Sequence, residues 1–198
     1  MGSSYYYTIA SLPMLFYDAK TSISREDFLY ACSREMNSRD FRKLQKATIN
    51  EPDDPSLLKD LALRYWLFEK SLRNHLAVFR AKAQGKDPAP YFRSGKSSLS
   101  IMENDKAESG AEEAASAAYK IDSPLEAEDY LNKIRWEKID EMVCGHFFDY
   151  DYLEGYYLKL QILERKSRFD RDKGQSRYEE LYGSILKNTD TNDVFGKE

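Results

Sequence analysis

Histidine and cysteine are nearly missing from this chain: His75, His146, Cys32 and Cys144 are the only ones in 198 residues. Two thiols so far apart make neither a disulfide framework nor a zinc-ligand pattern, and they predict a reducing, cytoplasmic setting. Glycine is sparse, and no phosphate-cradling loop of the GxxxxGKS/T or GxGxxG type occurs. No stretch approaches the roughly 18 apolar residues of a membrane span. The start of the chain lacks the basic and long apolar regions of a secretory signal. Gly2 does not mark myristoylation, because Tyr6 stands where Ser or Thr is required. Positive charge is not in excess: 30 Lys and Arg against 34 Asp and Glu give −4. Phosphate contacts need cations, so a nucleic-acid partner is not expected. Nothing in the sequence calls for a cofactor or a metal.

What the chain does have is aromatic surface, with 15 Tyr, 10 Phe and 2 Trp. Residues 3–15 read SSYYYTIASLPML, three tyrosines and an apolar run stopped by Pro13. The run suits a short strand or a buried first helical turn, and its length does not decide between them. Tyrosine carries broad apolar area with a polar tip, which fits either the edge of a small core or a half-wet interface.

The rest reads as helices. Ser24 with Asp27 resembles a capping box opening a helix over about 25–35, and Ser38 is the expected cap of another to about Ile49. In EPDDPS at 51–56, Asp54 caps and Pro55 takes the first helical position. Apolar residues then recur at Leu58, Leu61, Tyr65, Phe68, Leu72, His75 or Leu76, Phe79 and Ala83. Steps of three and four predict a helix of about 30 residues, roughly 45 Å long, ending at Gly85. It needs antiparallel, bundle-like neighbours to bury that stripe. Residues 93–120 are small and polar and are expected to be flexible, with a weakly held helix at Glu112–Ala118. Ser123-Pro124 opens a helix to about Cys144. The next begins near Asp149 and has two apolar faces, so it should lie between layers. Tyr178–Leu186 marks a last helix. The expected fold is an all-α multi-helix bundle. It has an N-terminal helical half (1–92), a linker (93–120) and a C-terminal half (121–198), together one compact domain.

Few residues carry chemistry. Cys144-Gly145-His146 puts a thiol and an imidazole close together, the one arrangement that would suit an enzyme. Nucleophilic catalysis also needs an orienting third group and an oxyanion site, neither of which is readable from the sequence, so the stretch reads as a helix C-terminus. His75 falls on an apolar stripe and reads as a core or edge histidine. Asp149-Tyr150-Asp151 has too few oxygen donors for a calcium loop. Arg165, Lys166, Arg168, Arg171, Lys173 and Arg177 alternate with Glu164, Asp170 and Asp172, which fits a solvated helix face or a patch for an acidic partner protein.

Two stretches carry a resemblance. YYYTIASLP at 5–13 resembles the opening of a bacterial family of uncharacterised proteins encoded among V-type (archaeal-type) ATPase subunits. FFDYDYLEGYYLKLQILER at 147–165 resembles a helix start in that family. It is also distantly similar to the ATPase subunit called C in bacteria and archaea and d in eukaryotes. The matching positions are Phe148, Asp149, Tyr156, Tyr157, Leu160, Glu164 and Arg165. The resemblance implies a reduced form of a funnel-like helical subunit, or an accessory subunit. Such a protein would be non-catalytic, would link the soluble head or shaft to the membrane rotor, and would be peripheral to the inner membrane at most. Its partners would be other ATPase subunits. The candidate contact residues are Tyr5, Tyr6, Tyr7, Tyr150, Tyr156, Tyr157, Arg165 and Arg168. The alternative is a generic cytoplasmic helical adaptor for another protein.

Overall fold

Apolar residues spaced three and four apart dictate helices, and all regular structure among the described residues is helical. The computed structural model describes residues 5–91 and 110–168. The all-α multi-helix bundle expected from the sequence is what forms, with seven α-helices and no strand among those residues.

Helix α1 spans Tyr6–Ser11, so the opening apolar run is helical. Leu12 is extended, φ −78° and ψ 138°, and Pro13 stops the helix. Helix α2 is Arg25–Glu35, with the Asp27 N–H donating to Ser24 Oγ at 3.0 Å as the capping box requires. Helix α3, Ser38–Leu44, is shorter than expected and is capped one residue earlier. Asn37 Oδ1 accepts from the N–H groups of Arg39 and Asp40, at 3.1 and 2.9 Å.

The long helix departs most from expectation. Pro55 opens a 3-10 turn, Pro55–Leu57, rather than the helix itself. Leu58 is buried while extended, and Asp60 sits at φ +52°. That left-handed residue breaks continuity, so α4 runs from Asp60 to Ala83, 24 residues instead of about 30. Its C-terminus closes as foreseen. Gly85 takes φ +64°, and the Lys86 N–H reaches the Ala81 carbonyl at 2.9 Å.

Helix α5, Ala111–Tyr119, realises the expected weak helix. Ala111, Ala114, Ala115 and Ala118 are buried, and the helix packs on α4. Alanine loses little on burial and admits close backbone approach, so packing holds this short helix in place. Residues 93–109 of the expected linker lie outside the described residues. So do Arg171, Lys173, Arg177 and the helix expected over Tyr178–Leu186.

Helix α6, Pro124–Val143, is capped by Ser123 and ends in a tight turn at Gly145, φ +88°. The turn closes with the His146 N–H on the Val143 carbonyl at 2.9 Å. Helix α7, Tyr150–Arg168, is capped by Asp149, whose Oδ1 accepts the Tyr152 N–H at 3.2 Å. Between Leu153 and Leu163 every residue of α7 except Lys159 is buried. The expected helix between layers is therefore this one.

The chain divides into two compact units, Met1–Leu163 and Glu164–Glu198. In the first, the core gathers around α7. Phe28 of α2 stacks on Tyr156 and Tyr157, with ring centroids 5.1 and 5.6 Å apart. Gly155 lets α6 approach, because a Cβ there would lie 2.3 Å from Val143 Cγ1. Gln161 fastens the loop after α3: its Oε1 accepts the Ile49 N–H and its Nε2 donates to the Ala47 carbonyl, at 3.2 and 3.0 Å. In the second unit, the described residues 164–168 complete α7, and Arg168 pairs with Glu164 one turn away at 2.7 Å.

Candidate functional site

Successive residues of a helix point about 100° apart, so three tyrosines in a row divide between core and surface. Tyr5, just before α1, is buried. Its hydroxyl donates to Asp40 Oδ2 at 2.6 Å and accepts from Asn37 Nδ2 at 2.9 Å. Burial pushes the Asp40 carboxyl up, but the hydrogen bonds from Tyr5 and Asn37, with Lys43 and Arg39, bring it below its ordinary value. Asp40 therefore remains an acceptor for the Tyr5 anchor.

The Tyr5 N–H donates to the Phe148 carbonyl at 2.7 Å. This bond ties the start of the chain to the turn between α6 and α7, 143 residues away in sequence. With Tyr5 fixed, Tyr6 and Tyr7 project outward, 52% and 82% exposed. Tyr6 leans on Phe148 at 4.8 Å between centroids and meets Tyr7 edge-on at 5.6 Å. Phe148 is 45% exposed and Phe147 67%. The result is an aromatic ledge assembled from two distant segments: residues 5–7, anchored through Tyr5, and residues 147–148, held by the Gly145 turn and the Asp149 cap.

The histidine beside the ledge is part of its frame. His146 Nδ1 lies 2.6 Å from Asp149 Oδ2, and Nε2 faces Asp151 Oδ2 at 3.6 Å. The hydrogen bond to Asp149 raises the imidazole above its ordinary value; burial opposes it, and the charges of Asp149 and Asp151 add to the rise. Both ring nitrogens are turned to carboxylates. Cys144 is exposed, and Cys32 is buried with its thiol pushed up to about 12 by burial. Among the described residues no group of three or more His, Cys, Asp or Glu could hold a metal ion.

The other sequence candidates fall elsewhere. Tyr156 and Tyr157 are buried in the stack on Phe28, and Tyr156 donates its hydroxyl to the Pro13 carbonyl at 2.8 Å. Tyr150 is half-buried and donates to Glu154 Oε1 at 2.7 Å. Arg165 is half-buried and Arg168 exposed. Of the eight candidate contact residues, Tyr6 and Tyr7 are the aromatic ones that stand open to solvent.

Sequence reasoning passed over two buried charged sites. The Glu69 carboxylate on α4 is fully buried and held by Arg135 of α6 and by Arg73. Arg135 also reaches Asn132 Oδ1 at 3.0 Å and Glu128 Oε1 at 3.3 Å. Glu154 on α7 is 2% exposed. It accepts from Tyr150 and from the Ala62 N–H in the first turn of α4, the latter at 3.0 Å. The signal available was a charge placed beside large apolar residues: Glu69 after Phe68 in LFEKSL, Arg135 between Ile134 and Trp136 in NKIRWEK, and Glu154 alone in YLEGYYL.

The sequence pattern of a family of proteins of unknown function, DUF2764, matches residues 56–189. The chain belongs to the DUF2764 family. The part of the chain that matches the DUF2764 pattern includes α4 to α7, and with them Phe147, Phe148, Glu154 and the Glu69–Arg135 pair; it excludes α1 to α3 and the three tyrosines. No curated protein and no solved structure matches the chain.

Proposed function

We propose that this DUF2764 protein is a non-catalytic structural subunit of a bacterial V-type ATPase, linking the soluble head or shaft to the membrane rotor through helix-to-helix contacts. One observation carries the proposal. The two stretches that resemble the ATPase-associated family, 5–13 and 147–165, are far apart in sequence yet meet at a single surface, where Tyr6 rests on Phe148. A ledge of exposed aromatics is poorly suited to water and well suited to a protein partner, since Tyr and Phe bury large area with few rotamers to freeze. The orientation of both His146 nitrogens toward Asp149 and Asp151 favours a framing role over activation of the Cys144 thiol. Among the described residues no helix is long and apolar enough to cross a membrane, which accords with a peripheral position.

The test is affinity purification of the tagged full chain from gently solubilised native membranes. ATPase subunits should co-purify in fixed ratio, and Tyr6→Ala with Tyr7→Ala should remove them without unfolding the chain. Clean recovery of the chain with no ATPase subunit would overturn the assignment. A different protein retained through the same tyrosines would identify a general helical adaptor instead.

A further inference from the structure

The first turn of α4 lacks a side-chain cap of its own: Lys59 precedes it and makes no capping hydrogen bond. A carboxylate from another helix supplies one. Glu154 Oε2 accepts the Ala62 N–H, while Oε1 accepts the Tyr150 hydroxyl. The junction is also where the backbone is strained, with Asp60 in the left-handed region. A cleft with room for about one water leads to Glu154, lined by Lys43, Lys46, Leu57, Leu58, Lys59, Ala62 and Tyr150. A proton therefore has a route to a group that is otherwise enclosed.

We propose that Glu154 is a proton-operated latch between α7 and the N-terminal end of α4: protonated, it holds the junction closed, and ionised, it loosens it. A balance of charges around this one buried group sets the direction. On its own helix Glu154 faces Tyr150 and Asp151. From α4 it meets the positive end of the helix dipole, the Ala62 N–H and the negative charge of Asp60. From α3 and the loops come Lys43, Lys46 and Lys59 at the mouth of the cleft. Lys43 is engaged already, by Asp60 at 3.4 Å and by the Tyr150 ring at 5.4 Å. Burial works most strongly against the charged form, and Asp151 and Asp60 add to it; the bonds from Tyr150 and Ala62 oppose them without prevailing. The carboxyl is raised from 4.5 to about 7. When the proton enters on Oε1, the Tyr150 oxygen accepts it and Oε2 still accepts from Ala62, so both contacts survive in neutral form. Tyr150 itself stays protonated, because burial and then the charge of Glu154 push its hydroxyl far up. A group that binds its proton more tightly when enclosed than when open to water adds to the closed junction's stability in full below its open-state pKa, and that contribution is lost as pH rises through its closed-state pKa. This inference stands independently of the partner proposed above.

The test uses the full chain and two measurements. Amide hydrogen exchange, corrected for intrinsic rates, should show protection at Ala62 and Leu63 falling at least about tenfold between pH 5.5 and 8 in the wild type. In Glu154→Gln that protection should be flat over the same range. Carbon NMR of the Glu154 carboxyl in the unaltered protein gives the second reading and does not depend on the variant folding. A midpoint near neutrality is expected. A midpoint below about 5, or protection that changes equally with pH in both proteins, would overturn the latch.

Discussion

The guanidinium of Arg135 closes on the Glu69 carboxylate with two hydrogen bonds, Nε to Oε2 at 2.8 Å and Nη2 to Oε1 at 3.1 Å. Burial works against the Arg135 charge, but Glu69 outweighs it and raises the guanidinium further above its ordinary value. The pair joins α6 to α4 where both side chains are buried. Removing Arg135 leaves the buried Glu69 carboxylate with Arg73 but without its two-bond partner, and breaking a buried pair in this way costs about 3–5 kcal/mol, whereas replacing both with apolar groups is often neutral. Arg135→Met should therefore lower stability in urea titrations by about that amount. Adding Glu69→Leu to it should restore part of the loss rather than deepen it, leaving Arg73 free to turn toward solvent.

Gly155 marks the closest approach of α6 and α7. Alanine would gain about 1 kcal/mol in helix propensity over glycine. Its Cβ would meet Val143 Cγ1 at 2.3 Å and Ile139 Cγ2 at 3.3 Å. Val143 is β-branched and stiff, so the helices must part. Gly155→Ala should be net destabilising by about 1–3 kcal/mol, read as a lowered thermal midpoint. Combining it with Val143→Ala should recover most of the difference.

Gln161 satisfies the loop backbone in both directions, accepting from Ile49 and donating to Ala47. Gln161→Leu keeps the bulk and leaves a buried N–H and carbonyl without that partner. A cost of about 2–4 kcal/mol is expected. Loss of amide protection confined at first to residues 47–49 would show that the loop detaches before the bundle unfolds.

Global stability should respond to pH through Glu154. The unfolded chain gives up this proton near the ordinary carboxylate value, while the folded chain keeps it to about 7. The folded state therefore binds more protons in between, and stability falls as pH rises from about 4.5 to 7, by up to about 3 kcal/mol. His146, also raised, adds in the same direction, but weakly because it is partly exposed. Glu154→Gln should flatten the curve across that window and leave the protein more stable than wild type at pH 8. Urea titrations at pH 5, 6, 7 and 8 check both signs.

Periodicity made the bundle legible. The caps Ser24, Asp149 and Ser123-Pro124, the stops at Gly85 and Gly145, and the doubly apolar α7 could all be read from residue type and spacing. What periodicity could not show was where a charge belongs inside an apolar stretch. Besides neighbours on their own helices, Glu69, Arg135 and Glu154 each bond a partner 66 or more residues away, which spacing does not reveal. The length of α4 was misread for a related reason, since a capped proline looks the same at the start of a 3-10 turn as at the start of a long helix. The aromatic ledge was half legible. The tyrosine triplet fitted either a core edge or an interface, and the exposure of Tyr6 and Tyr7 depended on Tyr5 finding Asp40 and the Phe148 carbonyl.

The most direct test of the account is a photocrosslink from the ledge itself. A benzophenone amino acid placed at position 7, where the native tyrosine is 82% exposed, should, on illumination of native membranes, join the chain to a V-type ATPase subunit. The same probe at exposed position 30 serves as the control. An adduct with an ATPase subunit from position 7 and none from position 30 is the predicted result. Absence of any ATPase adduct from position 7, with the chain intact and folded, would contradict it.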